Sequence, residues 1–189
     1  ARRFLIALIT SIIFSKSDSS ASNLNAIGVS AFKGCESLES ITIPSNVQYI
    51  NDSAFENCVS LTKVTVGSKT TLIDDSAFKD CEKLETINIP HELKWISKGM
   101  FENCKNLKNI TIPESVISIG ASAFENCAGL NEIVIPSSVK TIGENAFSGC
   151  SGLKELSLPK GLKSIGFSAF SDCVGLSGEL NLPDGLTDI

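Results

Sequence analysis

The seven cysteines are the residues of this sequence that could do chemistry, since thiols can form disulfides, bind zinc or act as nucleophiles. Each lies 23 residues after the one before it: Cys35, Cys58, Cys81, Cys104, Cys127, Cys150 and Cys173. No two form a CxxC pair, and the single histidine, His91, leaves no zinc ligand set. The even spacing therefore indicates a structural role, and we predict neither a metal nor another cofactor.

Phenylalanine follows the same period, three residues before each cysteine. These residues are Phe32, Phe55, Phe78, Phe101, Phe124, Phe147 and Phe170. A period of this length is typical of a solenoid, in which each repeat forms one coil stacked on its neighbour. The sequence therefore predicts one continuous core.

The stacking of the coils bears on whether the thiols are reduced or form disulfides. Strands in successive coils lie about 4.8 Å apart, which brings stacked cysteines within the Cα range of a disulfide. In-register side chains, however, point the same way rather than at each other. Two interpretations stay open: a buried column of reduced thiols acting as small apolar residues, or disulfides that join the coils.

The elements that position these columns repeat in every coil. An alternating I-x-I segment, usually followed by proline, predicts a short parallel strand with alternate residues inward. The predicted strands lie near residues 39–43, 62–66, 85–89, 108–112, 131–135 and 154–158. A second inward pair, such as Val47 and Ile50, predicts another extended stretch in each coil.

A short helical turn is predicted to begin at each Ala-Phe pair. The Gly, Asn or Asp before each cysteine favours the left-handed conformation that would end this turn. Met100 replaces the small residue before Phe101, and we expect local repacking there. An extra residue in the last coil predicts a bulge near Ser177–Gly178. The predicted fold class is therefore α/β.

Composition excludes several functions. The chain has 21 acidic and 16 basic residues and a net charge of −5, which argues against binding to nucleic acid or to an anionic membrane. No phosphate-binding loop, nucleophile elbow or zinc-protease motif is present, and we predict that the protein is not an enzyme. Lys94, Lys140 and Lys163 share one outward column, which is either a solvated face or a recognition surface.

Residues 1–23 do not follow the repeat. Arg2 and Arg3 precede an apolar stretch over residues 4–14, which is too short to cross a bilayer. Three interpretations are open: a signal peptide that would make the protein secreted or surface-bound, a cap on the first coil, or part of a longer segment. Residues 24–189 form the predicted solenoid of about seven coils, and we expect it to be truncated at its C-terminal end.

Tyr49, Leu72 and Trp95 fall in one outward column of three consecutive coils, with Ile117 in the column beside it. The chain contains one tyrosine and one tryptophan, and both are in this group. Exposed aromatic clusters are typical of interaction sites. The alternative is that these side chains cover the edge of a coil.

The coil is clearest over residues 112–133, with the sequence IPESVISIGASAFENCAGLNEI. It resembles the BspA-type leucine-rich repeat, and the likeness covers residues 24–189. The resemblance implies a right-handed leucine-rich-repeat solenoid in a surface or secreted protein that adheres to host matrix proteins or other cells. It implies no catalytic residue and no fixed ligand.

Two functions follow as hypotheses. The first is an extracellular adhesion module that binds a protein partner through the exposed face of the solenoid. The second is a structural spacer that holds another domain away from the cell surface.

Overall fold

The chain forms a stack of coils joined by short parallel strands. The computed structural model describes residues 24–189, so the predicted leader over residues 1–23 lies outside the described residues. The strands are β1 (Ala26–Ile27), β2 (Ser40–Thr42), β3 (Tyr49–Ile50), β4 (Lys63–Thr65), β5 (Leu72–Ile73), β6 (Thr86–Ile87), β7 (Trp95–Ile96), β8 (Ser118–Ile119), β9 (Thr141–Ile142) and β10 (Ser164–Ile165). Every strand pair is parallel, as the stacked-coil interpretation predicts.

The strands form two ladders on two sides of the coil. The first ladder comes from the Val47–Ile50 type of segment and contains the sheets β1-β3-β5 and β7-β8-β9-β10. The second ladder comes from the I-x-I segment and contains the sheet β2-β4-β6. Both extended stretches of the repeat therefore form parallel strands, and the prediction of the second stretch is confirmed.

The second ladder is shorter than predicted. Strands near 39–43, 62–66 and 85–89 are present as β2, β4 and β6, but the strands predicted at 108–112, 131–135 and 154–158 do not form. Inward burial nevertheless continues in the first two of these segments, since Ile110, Ile112, Ile133 and Ile135 are all buried, and Leu156 and Leu158 of the third are partly buried. The I-x-I pattern reports which side chains face the core, and that burial does not require a hydrogen-bonded ladder.

The prediction of short helical turns is wrong, because no helix occurs among residues 24–189. In the coil of Phe55, two residues four positions apart adopt positive φ, Ser53 at 55° and Asn57 at 59°. The N–H groups of Ser53, Phe55 and Asn57 donate to carbonyls of the next coil at 2.8–2.9 Å. A helix needs these donors within its own segment, so coil stacking replaces it with turns.

Left-handed residues occur at both ends of this turn in every coil. The position before each cysteine was predicted, and it has positive φ throughout: Gly34, Asn57, Asp80, Asn103, Asn126, Gly149 and Asp172. The position four residues earlier was not predicted: Ser30, Ser53, Ser76, Gly99, Ser122, Asn145 and Ser168. Serine enters this conformation less readily than glycine or asparagine, so the serines found at most of these positions did not indicate a left-handed residue.

The core is built around the phenylalanine column. Adjacent rings stack with centroids 5.1–6.0 Å apart, and the five central rings are fully buried. The largest spacing, between Phe78 and Phe101, and the largest tilt, 21° between Phe101 and Phe124, flank the coil where Met100 replaces alanine. Local repacking at Met100 is confirmed.

The extra residue of the last coil is accommodated where the sequence places it. Gly178 has a φ of 89° at a bend in the chain, a conformation that costs glycine little. Beyond this bend Leu180 and Leu182 are half-exposed. No helix in the described part of the chain is long and apolar enough to cross a membrane.

Candidate interaction surface

The cysteine column is the first candidate for chemistry, and its geometry makes it structural. All seven thiols are free, six of them are buried, and Cys35 is half-buried at the N-terminal end. Each of the other six thiols donates to the carbonyl of the phenylalanine 26 residues earlier at 3.1–3.2 Å. The thiols therefore hydrogen-bond to the preceding coil, and no disulfide joins the coils in this structure.

Burial suppresses the reactivity of these thiols. It raises the pKa of Cys58 and Cys150 to about 12, and it raises the pKa of Cys104 and Cys127 well above the ordinary range. Since the thiolate is the nucleophile and the metal ligand, the column is chemically inert at neutral pH. Among the described residues no cluster of His, Cys, Asp and Glu could hold a metal ion.

Four lysine–glutamate pairs join consecutive coils at the surface. Lysines and glutamates 23 residues apart form ion pairs of 2.8–3.3 Å: Lys33–Glu56, Lys79–Glu102, Glu82–Lys105 and Glu85–Lys108. Pairs at the surface contribute little to stability. Each of these carboxylates is therefore engaged by a lysine of the adjacent coil.

The first ladder presents two outward columns, which together we call the outer face. One column contains Asn25, Gln48, Thr71, Lys94, Ile117, Lys140 and Lys163. The other contains Ala26, Tyr49, Leu72, Trp95, Ser118, Thr141 and Ser164. Strand register aligns the second column from coil to coil, so side chains 23 residues apart lie about 4.8 Å apart at the backbone wherever the strands pair.

The outer face carries the aromatic residues singled out in the sequence. We call Tyr49, Leu72, Trp95 and Ile117 the apolar patch. Tyr49, Trp95 and Ile117 are 41%, 49% and 44% exposed, while Leu72 is half-buried. Half of each large side chain therefore rests on the scaffold and half is available to a partner.

The strand register settles only some contacts within the apolar patch. Tyr49 is the direct neighbour of Leu72, and Trp95 is the direct neighbour of Ser118. Leu72 and Trp95 lie in consecutive coils, but their strands β5 and β7 belong to different sheets. Ile117 donates its N–H to the carbonyl of Lys94 at 2.9 Å, which places it diagonally from Trp95, within reach of long side chains.

Three lysines of the outer face have no carboxylate partner. We call Lys94, Lys140 and Lys163 the lysine strip. All three side chains are exposed, and none takes part in an ion pair within residues 24–189. Lys163 Nζ lies 3.5 Å from the carbonyl of Gly185. The strip was visible in the sequence as a column, but its lack of partners depends on which columns adjoin it.

A groove lies where the second ladder ends. This groove of about 470 Å³ is lined by residues of three coils that include Lys63, Thr86, Asn109 and Thr111. In its wall Asn88 uses both polar atoms on the backbone of Val66, at 2.8 and 2.9 Å. These bonds replace ladder hydrogen bonds, so we assign the groove wall a structural role.

Comparison with known proteins supports the repeat. The family model for the BspA type leucine rich repeat region matches residues 8–131 and 71–189, with six copies. None of the curated proteins matches this chain.

Solved structures give the same architecture. A leucine-rich repeat protein from Bacteroides ovatus is 37% identical over 86% of this chain, with a TM-score of 0.79. The T. pallidum leucine rich repeat protein TpLRR is 32% identical over 81%, with a TM-score of 0.75, and a leucine rich cell surface protein from Faecalibacterium prausnitzii is 32% identical over 87%, with a TM-score of 0.73. The chain spans 42% of the Bacteroides and Faecalibacterium proteins and 72% of TpLRR.

Proposed function

Because this chain belongs to the BspA-type leucine-rich repeat family, we propose that it is a protein-binding module whose ligand contacts the apolar patch. The proposal extends to an adhesion protein at the cell surface or outside the cell. One similar structure is described as a cell surface protein, which supports this location. The partner class we propose is a matrix or cell-surface protein of a host.

The single observation that carries the proposal is the exposed apolar patch on an otherwise polar outer face. Further along the same column, its equivalents are Ser118, Thr141 and Ser164, so the fold does not require large apolar groups there. Half-exposed aromatic side chains bury much apolar area on binding and lose little rotamer entropy. They are the residues most often found as binding hot spots.

The scaffold suits this role because it is rigid where the patch is placed. Tyr49, Leu72 and Trp95 each precede a fully buried isoleucine: Ile50, Ile73 and Ile96. Anchoring the next residue in the core fixes the strand, and with it the starting direction of each outward side chain. Binding through this patch therefore requires little ordering of the backbone, which lowers the entropic cost of association.

Substitution of Trp95 tests the proposal. Trp95→Ser, which introduces the residue found one coil later, is expected to weaken binding by about 1–2 kcal/mol, on the order of a hot-spot truncation. Binding of the purified protein to an array of extracellular matrix proteins, measured by biolayer interferometry, gives the dissociation constants.

The matched control is Val134→Ser, which removes a side chain that is 79% exposed in the 131–135 segment, outside the outer face. It is expected to leave binding unchanged. Equal affinity of the Trp95→Ser variant and the wild type for every ligand bound would contradict the assignment of the patch. A spacer, the alternative function, would bind none of the array.

A further inference from the structure

The outer face changes character along the solenoid, from apolar to basic. The apolar patch occupies the N-terminal half, and the lysine strip begins beside Trp95 and continues toward the C-terminal end. The backbone ladder through this column is continuous, with N–H donation from Ile117 to Lys94, from Lys140 to Ile117 and from Lys163 to Lys140 at 2.8–2.9 Å. The two surfaces therefore form one strip with fixed spacing.

The charge of the strip is not a consequence of the overall composition. The whole chain has a net charge of −5, and four lysines elsewhere pair with a glutamate of the adjacent coil. Lys140 and Lys163 are stacked directly on each other instead, next to Thr141 and Ser164. One carboxylate residue, Asp188, pairs with Ser164 in a parallel bridge at the C-terminal end of this face. Adjacent like charges without partners cost free energy, so they point to a ligand of opposite charge.

We propose that the outer face binds an acidic segment of a protein, with an apolar anchor on Trp95 and Ile117 and carboxylates over Lys140 and Lys163. The inference rests on the proposed protein-binding function and names the chemistry of the partner. A combination of a central apolar contact and complementary charge at the side is typical of specific interfaces.

The coil spacing fixes the separation of the two parts of the ligand. Lys163 lies three coils beyond Trp95, which is about 14 Å at about 4.8 Å per coil. An extended peptide rises about 3.3 Å per residue. Lys140 lies two coils beyond Trp95, so the acidic residues should begin about three residues after the apolar anchor and reach Lys163 about four residues after it.

A synthetic peptide tests this geometry. The probe is a fluorescein-labelled, tryptophan-free peptide in which Leu-Phe is followed, after a Gly-Ser pair, by four glutamates. Trp95 is the sole tryptophan of the chain, so its emission reports directly on the patch. Binding is measured twice, by anisotropy of the labelled peptide and by the emission of Trp95 with an unlabelled copy.

We expect saturable binding that shifts the Trp95 emission to shorter wavelength and weakens as salt is raised from about 50 to 300 mM, because exposed charges are screened. The double variant Lys140→Glu/Lys163→Glu should raise the dissociation constant at least about tenfold. The matched control is Lys83→Glu/Lys154→Glu, which makes the same charge change at exposed lysines outside the outer face, and it should bind like the wild type.

The outcomes separate this inference from the proposed function. No binding, equal binding of a peptide with glutamine in place of glutamate, equal weakening by both charge reversals, or binding without a change in Trp95 emission would each overturn the acidic-segment inference. If the Trp95→Ser variant still loses affinity for a matrix protein while the charge reversal does not, the proposed function stands and the charge inference fails.

Discussion

The inner columns and the outer face of this solenoid obey the same period but differ in what varies along it. Inward, phenylalanine and cysteine recur in every coil, and the five central rings are fully buried between neighbours. Outward, the position of Tyr49 becomes leucine, tryptophan, serine and threonine in successive coils. The outer face belongs to the same coils, yet its side chains change from apolar to polar.

This difference separates what the fold requires from what the surface adds. An inner side chain has neighbours in the coils on both sides, so its loss leaves a cavity that the stack cannot close. An outer side chain has the scaffold on one side and solvent on the other. Changes at the inner columns should therefore affect stability, while changes on the outer face should affect binding.

The largest expected effect comes from ionising the cysteine column. In the unfolded chain a thiol has a pKa of about 8.5, whereas burial raises the pKa of Cys58 and Cys150 to about 12 in the folded protein. A raised folded pKa contributes stability that is fully present below the unfolded pKa and is lost as the pH rises toward the folded pKa. Each such thiol should lower the free energy of unfolding by about 1.4 kcal/mol per pH unit above about 8.5.

Urea unfolding with reductant at pH 7.5, 9 and 10 measures this loss. Burial also raises the pKa of Cys81 strongly. With these five thiols the slope approaches about 7 kcal/mol per pH unit, so the loss between pH 8.5 and 10 should be on the order of the whole stability of a typical domain. The double variant Cys104→Ser/Cys127→Ser removes two of the titrating groups, and its slope should be smaller by about 2.8 kcal/mol per pH unit. A free energy of unfolding that stays constant from pH 8 to 10 would contradict the buried column.

The second largest effect on stability should depend on where a phenylalanine lies within its column. Phe101 has a ring on each side and is fully buried, whereas Phe32, among residues 24–189, stacks on Phe55 alone and is half-buried. Phe101→Ala should lower the free energy of unfolding by about 3–5 kcal/mol, and Phe32→Ala by about half as much. Urea denaturation followed by circular dichroism measures both, and equal losses would mean that Phe32 is covered as fully as the central rings.

Much of the fold was predictable because burial restricts which residue types occur at each position of the repeat. The 23-residue period, the inward positions of Phe55 and Cys58 and the left-handed Asn57 all follow from what the core and the turns accept. The missing helix was not predictable from Ala54-Phe55, because the N–H group of Phe55 donates to Ala77 of the next coil. Whether an N–H donates within its own segment or across coils depends on three-dimensional stacking.

The candidate surface was only partly predictable. The column of Tyr49 and Trp95 follows from the period, but the interruption between β5 and β7 does not, since their sequences fit the same template. The unpaired state of Lys140 and Lys163 likewise depends on the columns beside them. Sequence periodicity specifies which residues share a column, and the structure is needed to show which columns adjoin.

The smallest expected effect on stability is that of replacing Trp95, and it tests whether the outer face is independent of the fold. Trp95→Ser should lower the free energy of unfolding by about 1 kcal/mol or less, as for other surface substitutions, because the side chain is 49% exposed and serine already occupies the next coil at Ser118. Urea unfolding followed by far-ultraviolet circular dichroism is the measurement, since the variant lacks tryptophan. A loss comparable with that of Phe101→Ala would show that the side chain supports the break between β5 and β7, and Trp95 would then belong to the fold rather than to a binding surface.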